Sequence, residues 1–212
     1  MLECDAAGTL LPNELDEVMP PLKVTCTSVD CEQNLHCFLR KRGMSPDAVG
    51  GCRACGAKLV DWARVQRRDP SDADFTFQAL KHEKIRHHMW HVAIDQAALN
   101  LARKRGRRAM IARVEGRLRS SIGKASGAFD GRQTPMQGNV IYYAQHATAT
   151  CCRKCLHYWH GIPTHRALAA PELAYCVELV TKYLDERLRE LPEGPERRAG
   201  PPTAVASAPR AT

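Results

Sequence analysis

Eight of the ten cysteines fall into two tight groups, and that grouping limits what the chain can fold into more than any other feature. Cys26, Cys31, Cys37, Cys52 and Cys55 form the first group. Cys151, Cys152 and Cys155 form the second, while Cys4 and Cys176 stand apart. The histidines are grouped too. His36 lies in the first cluster, His82, His87, His88 and His91 lie together, and His146, His157, His160 and His165 surround the second cluster. In a reducing compartment, clustered thiols bind metal or do thiol chemistry more often than they form disulfides. The first residues are acidic and carry no apolar leader, and no apolar run nears the roughly 20 residues of a membrane-spanning helix. The expected setting is therefore the cytoplasm, with no membrane partner.

The first group has zinc spacing. Cys52 and Cys55 are two residues apart and Gly56 follows, so both sulfurs can face one ion while the glycine makes the tight turn behind them. Zinc takes four tetrahedral nitrogen or sulfur ligands, often from two such knuckles. The partner knuckle is open among Cys26, Cys31, His36 and Cys37, and Cys26 with Cys31 or Cys37 is favoured. One or two spare cysteines can pack as small apolar residues instead. A segment this short buries too little core to fold without its metal.

The chain of 212 residues divides on composition into four parts. Residues 1–22 read as an acidic leader and 23–70 as the zinc-ribbon-like module. Residues 71–191 read as a helical domain and 192–212, rich in proline, as a disordered tail. The expected fold is mainly α, with short β-strands in the ribbon and little other sheet. Ala73 to Lys104 has a helical pattern. Arg107 to Ile122 is a basic amphipathic helix with Met110, Ile111, Val114, Leu118 and Ile122 on one face. Val140-Ile141-Tyr142-Tyr143 is β-prone. A helix from about Thr150 ends at Gly161, whose position suits a C-terminal cap. A last helix starts near Pro171 and carries the stripe Leu173, Cys176, Val177, Val180, Tyr183, Leu184 and Leu188.

The formal net charge of +8 is local in origin. Between Lys81 and Arg132 there are 13 lysines and arginines against four acidic side chains. Arg103, Lys104, Arg105, Arg107 and Arg108 form its centre, with Arg113 and Arg117 further along the helix. Such a run suits phosphates or other polyanions, or is a solvated helix face.

The second group reads His146-Ala147-Thr148-Ala149-Thr150-Cys151-Cys152-Arg153-Lys154-Cys155, then Trp159-His160-Gly161. On a helix, Cys152 shares a face with Cys155 and with His160, and His146 can close over the N-terminus. Two or three thiolates with one or two imidazoles would hold zinc or an iron–sulfur cluster. The Cys152–Cys155 pair also fits disulfide exchange, because a helix N-terminus and two flanking cations favour a thiolate. Glu83, His87 and His91 stand at i, i+4 and i+8 and are a possible further metal site, or His87, His88 or His91 completes the second site.

The block DGRQTP at 130–135 followed by AQHATATCCRKCLHYWHGIP at 144–163 resembles an uncharacterised family of small bacterial and phage proteins, a domain of unknown function. The similarity covers about 126–191. It implies that Asp130, Gln133, His146, Cys151, Cys152, Cys155, Trp159 and His160 act as one unit, and it carries no activity with it.

Three functions fit these features. One is a zinc-binding protein that holds nucleic acid or another polyanion through the basic helix. Another is a metal-dependent, nuclease-like hydrolase at the Cys152, Cys155, His146 and His160 region, with Asp130 or Glu83 as base. The third is a thiol-redox or iron–sulfur protein at the second cysteine group.

Overall fold

The structure is a computed structural model that describes residues 24–125 and 134–195. The acidic leader, Cys4, Asp130, Gln133 and most of the proline-rich tail lie outside the described residues. The fold is mainly helical, as expected. Its α-helices are α1 (Trp62–Gln66), α2 (Ala73–Lys81), α3 (Lys84–His91), α4 (Gln96–Arg105), α5 (Arg107–Ile122), α6 (Val140–Ala147), α7 (Arg153–His160) and α8 (Ala170–Arg187). The short β-strands expected in the N-terminal segment do not form among the described residues; two isolated bridges occur instead, Asp30 with Leu35 inside the segment and His36 with Glu83 at the α2–α3 corner. None of the described helices is long and apolar enough to cross a membrane.

Local chemistry sets the helix starts. The Asp61 carboxylate accepts from the Arg64 amide, Asp95 from the Ala98 amide and Asn139 from the Ile141 amide. At α8, Pro171 sits in the first turn and the Glu172 carboxylate accepts from the Ala169 amide at 2.9 Å. Gly161, at φ +63°, ends α7 in the left-handed conformation expected of a glycine cap.

The long helical pattern between Ala73 and Lys104 is cut twice. At the first cut the backbone of His36 takes over. Its amide donates to the His82 carbonyl at 2.7 Å and its carbonyl accepts from the Lys84 amide at 2.8 Å. The N-terminal segment is thereby stitched to the α2–α3 corner. At the second cut the chain turns through Val92 to Ile94, and Asp95 caps the next helix.

Residues 140–143 correct the expected β-run: they open α6. Seven of the eight α6 residues are buried, so packing against α3 and α8 decides the conformation over side-chain preference. The α8 stripe is buried as expected at Leu173, Cys176, Val180, Tyr183 and Leu184, and Tyr175 and Leu179 are buried beside it. The α5 stripe of Met110, Val114, Leu118 and Ile122 packs against α8. A second cluster joins the N-terminal segment to α7. In it the Trp62 and Trp159 rings lie 5.0 Å apart, with Phe38 edge-on to both.

Candidate metal centres

The first centre gathers Cys31, His36, Cys52 and Cys55, whose ligand atoms all lie within 4.8 Å of one another. The Cys31 and Cys52 sulfurs are 3.8 Å apart, and the Cys55 sulfur is 3.5 Å from His36 Nδ1. A tetrahedral zinc with Zn–S near 2.3 Å and Zn–N near 2.05 Å gives edges of about 3.8 Å and about 3.5 Å. The donor set and its spacing therefore suit one such ion.

Each ligand has a local reason for its place. The Cys52 sulfur accepts from the Ala54 amide, and the Gly56 amide donates to the Cys52 carbonyl to close the knuckle. Gly51 must be glycine, because a Cβ there would stand 2.7 Å from the Gly56 carbonyl oxygen. His36 Nε2 pairs with Asn34 Oδ1 at 2.9 Å, which leaves Nδ1 to face the sulfurs. Burial disfavours the Cys52 thiolate, but amide hydrogen bonds from Cys55, Cys37 and Ala54 outweigh it and bring that thiol down to about 6. Burial and the neighbouring sulfurs push Cys31 up to about 12. Without a cation the group resists full ionisation; a dication removes the conflict.

The residues grouped with Cys52 and Cys55 are Cys31 and His36, in place of the expected Cys26 with Cys31 or Cys37. Cys37 is fully buried, and its thiol donates to the Cys26 carbonyl at 3.2 Å. Cys26 stands outside this centre's group and packs on the edge of the helical core.

The second centre sits at the start of α7. Cys151, Cys152 and Cys155 bring their sulfurs within 4.8 Å of one another. Cys152 is also the helix cap, its sulfur accepting from the Cys155 amide at 3.4 Å. Arg86 of α3 is buried against this group. Its Nη2 donates to the Cys155 sulfur at 3.2 Å, Nη1 donates to the His146 carbonyl at 2.6 Å, and Nε donates to Glu83 at 3.0 Å. Glu83 in turn accepts from Trp159 Nε1 at 2.6 Å and from the Tyr158 hydroxyl at 3.0 Å. Glu83 and Arg86 are 1% and 2% exposed, so this is a buried ion pair built onto the thiol group. Hydrogen bonds from Cys151, Cys152 and Cys26, with the Arg86 charge nearby, hold the Cys155 thiol well below its ordinary range.

The histidines expected here do not join. His160 places Nδ1 on the Tyr175 hydroxyl and Nε2 on the Thr148 carbonyl, and burial brings it down to about 4. His146 places Nε2 on the Thr134 carbonyl at 3.0 Å. Both are core histidines held by the main chain. The Glu83, His87 and His91 set is also separated. Glu83 faces inward to Arg86, while the His87 and His91 rings sit 4.0 Å apart on the outer side of α3. Sequence reasoning missed Arg86, whose one signal was its place three residues after Glu83.

The basic stretch is mixed. Arg107 pairs with Asp185 and Glu193, and Arg117 lies over the Tyr142 ring with Nε on Gln145. Arg103 shares a groove with Glu186 and Glu190. Lys104, Arg105, Arg108 and Arg113 have no carboxylate partner among the described residues.

A helical protein with cysteine and histidine groups positioned to hold metal ions is the class these features define. The family model described as Domain of unknown function (DUF4186) matches residues 74–185, and the chain belongs to that family. The matched region runs from α2 into α8. It contains Arg86 and the second cysteine group and leaves the first centre outside. No solved structure matches the chain.

Proposed function

We propose that the protein is a zinc-braced cytoplasmic binding protein that holds the phosphates of nucleic acid through the basic face of α4 and α5. The observation that carries the zinc reading is the pair of edges at the first centre, 3.8 Å and 3.5 Å, which suit a Cys3His ion. Cys31, His36, Cys52 and Cys55 would hold the zinc, and its part would be to fix the N-terminal segment. The nine described cysteines are all unpaired, in keeping with a reducing compartment. Lys104, Arg105, Arg108 and Arg113 supply the cationic surface. The hydrolase reading draws less support, because His146 and His160 are taken up by the main chain and Cys151 and Cys155 are buried.

Binding of the zinc-loaded protein to duplex DNA tests the reading, followed by fluorescence anisotropy across a salt series. Four phosphate contacts give a slope of log affinity against log salt of about −3.6. Arg108→Gln with Arg113→Gln should reduce its magnitude by about 2. Binding that ignores salt, or no binding at low salt, overturns the nucleic-acid part. Absence of zinc from the pure protein overturns the metal part.

A further inference from the structure

The second centre has three sulfurs, and a closed zinc site takes four ligands. The nearby imidazoles are already spent. We propose that Cys26 is the fourth ligand, so that Cys26, Cys151, Cys152 and Cys155 form a tetrathiolate zinc site with Arg86 as its outer hydrogen-bond donor. The inference stands apart from the nucleic-acid reading and uses residues that the first centre leaves over.

Several observations converge on Cys26. Its thiol lies near enough to the Cys155 thiol and the Arg86 guanidinium to act on the ionisation of both, and it stands just outside the 4.8 Å group that the other three sulfurs make. The turn that carries it is fixed: the Ser28 amide donates to the Thr25 carbonyl at 3.1 Å, and Thr25 and Thr27 face solvent while Cys26 turns inward. The Cys26 carbonyl is pinned by the buried Cys37 thiol, which explains why Cys37 is at hand but not a ligand. Cys26 packs on the edge of the helical core to which Ile85, the neighbour of Arg86, belongs, and it is not among the residues of the first centre. Cys26 and Cys31 therefore serve different ions, although only five positions separate them.

The chemistry of the pocket agrees. Four thiolates around one dication leave a net charge of −2, which is costly to bury without hydrogen-bond donors. Arg86 supplies them, reaching Cys155 at 3.2 Å and Cys151 at 3.9 Å. Glu83 holds that guanidinium in place and is itself held by Trp159 and Tyr158. An iron–sulfur cluster spreads its thiolates over two or more irons and bridging sulfides, so three sulfurs within 4.8 Å suit a single ion better.

Zinc analysis and zinc X-ray absorption on the full chain test the assignment. The wild-type protein should hold two zinc ions and show an average of about 3.5 sulfurs per zinc, from one Cys3His and one Cys4 set. Cys26→Ser should weaken one of the two ions by at least about tenfold in chelator competition and leave the other unchanged. Cys26→His, which keeps a ligand at the position, should restore two tight ions. One zinc per wild-type chain, iron with labile sulfide, or a Cys26→Ser protein with both ions at wild-type affinity overturns the proposal. If Cys26→Ser fails to fold, the sulfur count of the wild type still decides, because a three-sulfur second site lowers the average to about 3. Loss of the ion at the first centre alone, in Cys52→Ser, separates failure of the earlier zinc reading from failure of this one.

Discussion

The Arg86 guanidinium donates to the Cys155 sulfur across 3.2 Å, from a helix 69 residues earlier in the chain. This contact ties the family's helical core to its cysteine group. It also binds two buried charges, Glu83 and Arg86, into one network with Trp159, Tyr158 and the His146 carbonyl.

Arg86→Ala leaves the Glu83 carboxylate buried without its cation. Breaking such a pair costs about 3–5 kcal/mol. Urea unfolding of the zinc-loaded protein should show that loss. Arg86→Met combined with Glu83→Gln should recover part of it, because the Glu83 charge goes with its partner while the cysteine group still loses its donor. A loss below about 1 kcal/mol for the single variant contradicts the role given to the pair.

His160 predicts a pH dependence. Its ordinary value is 6.5, and burial lowers it to about 4 in the folded protein. Between those values the unfolded chain binds more protons than the folded one. The neutral ring's contribution is complete above about pH 6.5 and is lost as pH falls toward 4, by up to about 3 kcal/mol. The measurement is the stability difference between wild type and His160→Gln at pH 7 and at pH 4.5. Acid release of metal affects both proteins alike and cancels. An equal difference at both pH values sinks the prediction.

Cys55→Ser should remove one zinc per chain and loosen the knuckle, while α2 to α8 keep their helical signal. Trp62 reports the change, since its indole donates to the Gly50 carbonyl at 2.8 Å beside the knuckle. Near-ultraviolet circular dichroism should weaken and the far-ultraviolet signal should hold. Collapse of both would show that the helices depend on the first centre.

Gly106 joins α4 to α5 at φ +78° and ψ 163°, a conformation open almost only to glycine. A Cβ there would also collide with the Gly194 backbone. Gly106→Ala should cost at least about 1–3 kcal/mol in thermal or urea unfolding. It should also free the 192–195 segment from α5, where the Arg107 and Arg108 amides donate to the Pro192 and Glu193 carbonyls. Unchanged stability would rule out the strained joint.

What was legible in the sequence was local. The Cys52–Cys55 knuckle, the α5 stripe and the Gly161 cap depend on neighbours within a few residues. The distribution of ligands was not local. Cys26 and Cys31 look equivalent along the chain, and only the fold sends them to different places. The histidines near Cys152 suggested ligands, yet the carbonyls of Thr134 and Thr148 claim their rings. Residues 140–143 read as β because their side chains favour strands, while burial on both sides makes a helix there. Arg86 drew no attention because its partners other than Glu83 lie dozens of residues away.

The span of each centre has a consequence for how the chain comes into being. All four ligands of the first centre lie between residues 31 and 55, so they emerge from the ribosome together and can take up an ion early. The second group cannot form until α7 has been made, about a hundred residues later. Arg86 and Glu83 are synthesised well before the sulfurs and indole that will cover them. A nascent chain that takes up an ion at the first centre would carry a metal-loaded front end while the Arg86 network waits for its last partners.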